Sequence, residues 1–346
     1  MERGVSVEID GKEIKSTEGI TVKSALVMNG YKVLKGSLFT PCEVGGCWSC
    51  AVLVNGTLSP SCTTRIKDKM TIETDLPNDY TPKRIIQNFG GHMVGGVGTP
   101  WQLKKSTGYI EVACFAAGCN LLCPQCQNWD ITYKGNGVAL TPRDTAEIMS
   151  ATRKRFSVDR MAISGGESSL NRKWLIEYIK ELKRLNPDPA ARIHVDTNAS
   201  ILTRDYIDEL IDAGMTDIGP DLKGYSPETF MRISGIEDKD LAEMYLSTAW
   251  DAVRYLIENH KENIFIGVGI PYNRAFISPQ EIEIMGEKLS DMDSEIQVCV
   301  LDYRPEFRRT EIIRPSYHEM LDIQNILKRK GLKTVICQTE FGHIEP

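Results

Sequence analysis

The sequence predicts an α/β chain in two parts, a small β-rich unit followed by a partial barrel of alternating strands and helices. Three observations carry this. The first 75 or so residues alternate apolar and polar positions in short runs closed by Asp-Gly and Asn-Gly turns. From residue 107 onward strand-like and helix-like segments alternate about six times, the pattern of a parallel sheet. Between the two, residues 76–106 are broken by Pro77, Pro82 and Pro100 and by the tract GGHMVGGVG. At 346 residues the chain is too long for one ordinary domain and suits one large domain plus one small.

Composition narrows the class. The chain is 41% hydrophobic and 25% charged, values of a globular protein in water. A formal net charge of −6 with no long basic run predicts no nucleic-acid partner. No apolar stretch is long enough to cross a bilayer, and MERGVSVEIDGKEI lacks the apolar centre of a signal peptide, so a cytoplasmic protein without a membrane partner is expected. In such a setting ten cysteines point to metal or redox chemistry rather than disulfides.

In the small unit, VSVEID reads as a strand and Asp10-Gly11 as its hairpin turn. In TVKSALVMNG, Val22, Ala25 and Leu26 share a helical face, and Asn29-Gly30 stops it. Val52 and Val54 lead into the turn Asn55-Gly56, and MTIETD closes the unit. Between helix and strand lies PCEVGGCWSC. Its spacing, Cys42-x4-Cys47-x2-Cys50, followed by Cys62, is that of plant-type [2Fe–2S] sites. A four-cysteine zinc site favours two separated pairs, so a cluster is preferred over zinc or free thiols. Gly45 and Gly46 would let the backbone wrap the cluster closely. Residues 5–75 resemble the [2Fe–2S] domains of succinate dehydrogenase and xanthine dehydrogenase. The resemblance implies a ferredoxin-like β-grasp domain over 1–75. Residues 76–106 read as a linker or as a lid over a site, with His92 and Trp101 unusual for inert chain.

Over 107–346 the candidate strands are YIEVAC, RMAIS, RIHVD, TDIGPD, IFIGVGI and IQVCVL. Helices are expected from Thr141-Pro142, over WLIEYIKELKRL, over RDYIDELIDA with Gly214 as its stop, and from Ser316. About six units suggest a partial (β/α)6 barrel of the triosephosphate-isomerase kind, with chemistry at the C-terminal strand ends. Those ends carry a three-cysteine loop, then Ser164-Gly165-Gly166-Glu167, Asp196-Thr197-Asn198, Asp221-Leu222-Lys223, Gly269-Ile270-Pro271 and Asp302-Tyr303-Arg304. One shared site explains so consistent a placement better than separate caps and surface charges. Cys114, Cys299 and Cys337 read as small buried residues.

The three-cysteine loop is GCNLLCPQCQNW. Cys119-x3-Cys123-x2-Cys126 after a first strand, with Gly-Gly-Glu after the second, is similar to the radical S-adenosylmethionine (SAM) superfamily. That resemblance implies a [4Fe–4S] cluster on Cys119, Cys123 and Cys126 whose fourth iron takes SAM. Cleavage of SAM then yields a 5′-deoxyadenosyl radical. QNWDI, DTN and DLK narrow the resemblance to the glycyl-radical-enzyme activases and the AmmeMemoRadiSam group, over residues 107–337. It implies that Gly165 and Gly166 meet the methionine amino group and that Glu167 orders their loop. Asp196, Thr197 and Asn198 would lie near ribose and carboxylate, Lys223 would pair with a carboxylate, and Ile270 would pack near adenine. Asp196, Thr197 and Asp221 would also hold a monovalent cation. Two positions depart from the pattern. Gln125 stands where an aromatic is usual beside adenine, and Arg304 follows Tyr303 where the activases have histidine.

The resemblance implies hydrogen abstraction from a backbone Cα of a protein or peptide substrate, with the [2Fe–2S] domain relaying electrons from a donor. Two alternatives stand beside it. One is a cobalamin-dependent C-methyltransferase like the enzyme that methylates a glutamine Cα in methyl-coenzyme M reductase, although no Asp-x-His-x-x-Gly signature is present. The other is a two-cluster electron-transfer protein without SAM chemistry.

Overall fold

The computed structural model describes residues 3–32, 42–105 and 107–346. The small unit is a five-stranded sheet in the order β2-β1-β5-β3-β4, built from β1 (Gly4–Ile9), β2 (Lys12–Thr17), β3 (Ala51–Val54), β4 (Thr57–Pro60) and β5 (Thr71–Glu73). Asp10 (φ 48°) and Gly11 (φ 76°) make the first hairpin turn, and Asn55 (φ 50°) and Gly56 (φ 75°) the second. Both pairs have the left-handed backbone that a two-residue hairpin requires. Helix α1 (Val22–Met28), capped by Thr21, lays Val22, Ala25 and Leu26 against Val5, Val7, Ile9, Val52 and Ile72. Burying each larger side chain contributes about 1.5–3 kcal/mol.

The larger unit is one ten-stranded sheet, ordered β15-β14-β13-β12-β11-β10-β9-β7-β6-β8. Its parallel run comprises β7 (Glu111–Ala116), β9 (Arg160–Gly165), β10 (Arg192–Thr197), β11 (Asp217–Pro220), β12 (Phe265–Tyr272), β13 (Gln297–Asp302) and β14 (Thr334–Thr339). All six expected strands are present, and β14 adds a seventh. Antiparallel strands finish both edges: β6 (Arg84–His92) with β8 (Ala139–Leu140) on one side and β15 (Gly342–Ile344) on the other.

Helices pack on the outside. They are α2 (Trp129–Thr132), α3 (Pro142–Phe156), α4 (Arg172–Leu185), α5 (Arg204–Ala213), α6 (Pro227–Ser234), α7 (Lys239–His260), α8 (Pro279–Met292) and α9 (Tyr317–Arg329). Their starts follow local chemistry. Thr141 and Asp144 form a reciprocal capping box for α3, and Ser226, Ser278 and Ser316 cap α6, α8 and α9. Gly214 ends α5 in the left-handed region, as expected. One face of each strand meets these helices, with Val112, Ile163, Val195, Ile218, Val268 and Val298 all in a single core. The opposite faces enclose a cavity of about 360 Å³, lined from Phe115 on β7 round to Gln338 on β14. That enclosure makes the curled sheet a partial barrel.

Residues 76–106 differ from a linker or a lid. Arg84–His92 is strand β6 of the barrel sheet, with a register shift between Gln87 and Gly90. The glycine tract after it plugs the end of the barrel where the parallel strands begin. Gln297 Nε2 donates to Val97 O (3.3 Å) and Thr99 O (2.9 Å), and Arg160 Nη2 to Gly98 O (3.1 Å). Glycine is needed for the close approach. A Cβ on Gly98 would lie 2.5 Å from the Ile218 carbonyl oxygen, and one on Gly96 2.4 Å from the His194 ring. Among the described residues no helix is long and apolar enough to cross a membrane.

Candidate active site

The cysteine trio lies in the loop between β7 and α2. Gly118 N donates to Thr132 O (3.0 Å) and Cys126 N to Cys123 O (3.1 Å), which folds the loop back on itself. Leu121 N donates to Cys119 Sγ (3.3 Å), and Asn198 Nδ2 approaches the same sulfur at 3.6 Å. Cys119, Cys123 and Cys126 all face the cavity. None of the ten cysteines is in a disulfide. Burial, with Cys123 and Glu167 nearby, pushes the Cys119 thiol up, and burial pushes Cys123 up to about 12. Thiols pushed up in this way become thiolates only against a compensating cationic group, which an iron–sulfur cluster would supply.

Glu167 is the knot of the loops beside them. It is fully buried, and its Oε1 accepts from Ser169 N (2.9 Å), Ser169 Oγ (2.6 Å) and Thr197 Oγ1 (2.6 Å). Its Oε2 accepts from Asn198 N (2.7 Å). One carboxylate therefore joins the loop after β9 to the loop after β10. Gly165 (φ 108°) and Gly166 line the cavity. A Cβ on Gly166 would sit 2.2 Å from Gly118 O, so only glycine leaves that backbone bare toward a ligand.

Asp196, Thr197, Asn198, Asp221 and Lys223 also reach the cavity. The Lys223 ammonium, 5% exposed, lies 3.4 Å from Asp221 Oδ2 and 3.5 Å from Tyr303 Oη. Burial alone would neutralise it, but Tyr303, Asp221, Cys123 and Cys119 outweigh that and hold it charged. Burial and the neighbouring Asp196 carboxylate raise Asp221, against the pull of Lys223. The cation implied for Asp196, Thr197 and Asp221 meets competition from the protein's own charges. Asp196 Oδ1 is 3.0 Å from His194 Nε2, Asp221 faces Lys223, and Thr197 Oγ1 is spent on Glu167. Among the described residues no group of three or more His, Cys, Asp and Glu side chains is arranged around a single ion.

Two expected residues point elsewhere. Ile270 is fully buried on the helix side of β12, in register with Ile266 and Val268. The inward positions of that strand are Gly267 and Gly269, where a Cβ would meet Val97 O at 2.3 Å and Asp221 Oδ1 at 2.1 Å. The alternation in IFIGVGI carried this signal, because strand neighbours face opposite sides. Gln125 turns away as well, its Nε2 donating to Ile233 O (2.8 Å). The sequence reading missed a strap over the cysteine loop. Phe307 stacks between Trp129 (5.2 Å) and Tyr133 (5.4 Å), Trp129 Nε1 donates to Glu306 (3.1 Å), and Arg308 N donates to Pro124 O (2.9 Å).

The four cysteines of the small unit are all buried. The β3–β4 hairpin sets Cys50 and Cys62 side by side, since Ala51 pairs with Pro60 and Ser61 N donates to Cys50 O (3.2 Å). Cys47 N approaches Cys42 Sγ at 3.5 Å. Around them Trp48 Nε1 and Arg84 Nε are buried without a hydrogen-bond partner. Orphaned donors beside buried thiols fit a [2Fe–2S] group, whose sulfurs accept hydrogen bonds.

This cysteine loop packs directly on the other. A Cβ on Gly46 would lie 2.7 Å from the Ala117 carbonyl carbon, and one on Gly118 2.9 Å from Cys42 Sγ. Ile85 N donates to Gly46 O (3.0 Å), Asn171 Nδ2 to Cys47 O (2.9 Å) and Ser49 Oγ to Leu170 O (2.7 Å). Gly118, which directly precedes Cys119, packs against Cys42.

Residues 114–277 match the radical SAM superfamily, and residues 2–77 match the 2Fe-2S iron-sulfur cluster binding domain. Over 117 residues the chain is 32% identical to the "Probable GTP 3',8-cyclase" of Methanococcus aeolicus, covering 34% of this chain and 38% of that one. It is 23% identical over 211 residues to the protein of the same name from Saccharolobus solfataricus, covering 58% and 62%. The chain thus spans less than two thirds of the length of these relatives. Among solved structures it is similar to Streptococcus suis SuiB bound to precursor peptide SuiA (TM-score 0.49, 14% identity, 64% and 46% covered). It is also similar to Escherichia coli coproporphyrinogen III oxidase HemN (TM-score 0.44, 15% identity, 68% and 54% covered).

Proposed function

Because this chain is a radical SAM enzyme with an N-terminal [2Fe–2S] domain, we propose that it feeds its own [4Fe–4S] site with electrons from that domain and removes a hydrogen atom from a backbone Cα of a protein or peptide substrate. Held by Cys119, Cys123 and Cys126, a [4Fe–4S] group with SAM would supply a 5′-deoxyadenosyl radical on one-electron reduction. The observation that carries the relay is the contact of Gly118 with Cys42. Electron transfer weakens steeply with distance, and these two loops are in direct contact at Gly46 and Gly118.

The chain's own residues hold and shield. Cys119, Cys123 and Cys126 hold the [4Fe–4S] group, and Cys42, Cys47, Cys50 and Cys62 hold the [2Fe–2S] group. Gly165 and Gly166 offer bare backbone to the amino group of SAM, while Glu167 fixes Thr197 and Asn198 opposite them. Lys223 offers a buried charge to a carboxylate. The glycine plug closes the far end of the barrel, so solvent and substrate enter from the cysteine side. The motif set Cys119–Trp129, Asp196–Asn198 and Asp221–Lys223 supports a Cα substrate of the activase kind.

The relay is tested with Cys47→Ser. Turnover with a protein reductant is expected to fall while turnover with dithionite survives, and equal losses under both would reject the relay. For the substrate, mass spectrometry of proteins from cells with and without the gene should reveal one modified backbone. The curated relatives favour a second reading, a nucleotide substrate. Deuterium passing into 5′-deoxyadenosine from labelled GTP, with none from labelled protein, would establish it over the first.

A further inference from the structure

Arg84 sits at the seam of the two cysteine loops, and no part of the reaction outlined above uses it. It opens β6, and its side chain is 0% exposed. Its Nη1 donates to Ser168 O (2.5 Å), and its Nη2 to Ala117 O (3.3 Å) and Glu167 O. Those carbonyls belong to the two loops that form the SAM side of the cavity. Its backbone neighbours are tied to the other side. Ile85 N donates to Gly46 O, and Asn171 Nδ2 bridges Lys83 O (3.3 Å) and Cys47 O (2.9 Å). The guanidinium is therefore tied to the Gly-Gly-Glu loop and to Ala117, while the backbone beside it is tied to the four-cysteine loop.

Its hydrogen bonding is incomplete. Two nitrogens are satisfied by carbonyl oxygens, which carry no formal charge, and Nε has no partner. A buried guanidinium without a counter-ion is costly, and an unpaired buried N–H adds about 1–3 kcal/mol. Burial pulls this group down, and the groups opposing that pull are Cys47, Glu167, Cys42 and Tyr206, whose hydroxyl donates to Ser169 O (2.9 Å). Glu167 turns its carboxylate toward Ser169, Thr197 and Asn198. The four-cysteine site remains as the acceptor.

We propose that Arg84 donates its Nε–H to the [2Fe–2S] group held by Cys42, Cys47, Cys50 and Cys62, and that this charge eases reduction of that cluster while bracing the loop behind SAM. Reduction adds one electron and makes or breaks no covalent bond. A fixed cation beside the cluster stabilises the reduced, more negative form. The inference needs the cluster in its site but not the relay, because a potential is read without transfer to the second cluster.

The test uses the full chain loaded with both clusters. In wild-type protein with arginine labelled with ¹⁵N, pulsed EPR of the dithionite-reduced [2Fe–2S] cluster should show a ¹⁵N coupling that Arg84→Lys removes. In redox titrations followed by EPR, Arg84→Gln should lower the reduced-to-oxidised ratio at fixed potential about tenfold. That is 59 mV for one electron. Arg84→Lys should shift it less, and the [4Fe–4S] cluster should move less than the [2Fe–2S]. No ¹⁵N coupling in the wild type overturns the proposal, since Nε is then held by water. So does an unchanged [2Fe–2S] midpoint in an Arg84→Gln variant that loads fully. If neither variant loads, the wild-type coupling alone decides.

Discussion

Gly118 lies against Cys42 so closely that a Cβ on it would stand 2.8 Å from the cysteine Cβ and 2.9 Å from its sulfur. Its φ of +87° is also a left-handed conformation that an L side chain adopts only under strain. Gly118→Ala therefore has to part the two cluster loops, at about 1–3 kcal/mol of strain. Formation of 5′-deoxyadenosine with a protein reductant should fall about tenfold, the effect of about 1.4 kcal/mol on a barrier. With dithionite, small enough to reach either cluster, the loss should be much smaller. Chromatographic assay of 5′-deoxyadenosine under the two reductants compares them, and matching losses would mean the contact only supports the fold.

The Glu167 carboxylate accepts four hydrogen bonds and donates none. Glu167→Gln keeps the shape but puts an NH2 where a donor already points. A buried mismatch of this kind costs about 1–3 kcal/mol. Because Thr197 and Asn198 hang from this side chain, the cost should appear in SAM affinity, weakened roughly 5- to 150-fold if all of it is felt there. Calorimetric titration of the cluster-loaded protein with SAM measures it. An unchanged Kd would show that the loop keeps its form without the carboxylate.

Both cysteine groups and the strand-end motifs were legible in the sequence because they are local. Spacing over a few residues states which sulfurs share a loop, and β–α alternation states which loops share an end of the barrel. Long-range partners were not legible. Residues 76–106 looked like linker because Gly90 and Gly91 break the alternation of β6. The bonds that make a plug of Val97–Thr99 come from Gln297, about two hundred residues onward, and from Arg160. Nothing in the residues around Arg84 sets it apart, and the carbonyls of Ala117, Glu167 and Ser168 that hold it come from distant loops. Ile270 was assigned to the cavity by analogy, whereas strand parity turns it to the helices.

The plug makes its own prediction. Gly98 has ordinary backbone angles, so a side chain there fails on space alone, 2.5 Å from the Ile218 carbonyl. Gly98→Val should destabilise by about 1–3 kcal/mol through overpacking. A fall in Tm of several degrees is expected, about 2–4 °C for each kcal/mol in a chain of this size class. Gly4→Val, where nothing lies within 4 Å, is the matched control and should leave Tm in place. Equal melting of the two variants would mean that the tract does not seal the barrel in solution.

Beneath the cavity His194 is held between two carboxylates, with Nδ1 3.4 Å from Glu111 Oε2 and Nε2 3.0 Å from Asp196 Oδ1. Burial pulls its pKa down, but Asp196 and Glu111 outweigh that and raise it from 6.5 to about 9. Burial likewise opposes ionisation of Glu111, but His194 and His92 outweigh it and hold that carboxyl well below 4.5. The signs follow from linkage. The raised histidine stabilises the fold fully below pH 6.5, and that contribution fades as pH rises through about 9. The depressed carboxylate stabilises above pH 4.5 and fades as pH falls toward its folded value. Stability should therefore be greatest between the two limbs, with the alkaline limb worth up to about 3 kcal/mol. His194→Gln removes the group that titrates on that limb. Denaturant unfolding between pH 6 and pH 10 should then show a flatter alkaline limb on a lower curve. A limb equally steep in the variant would assign the alkaline loss to other groups.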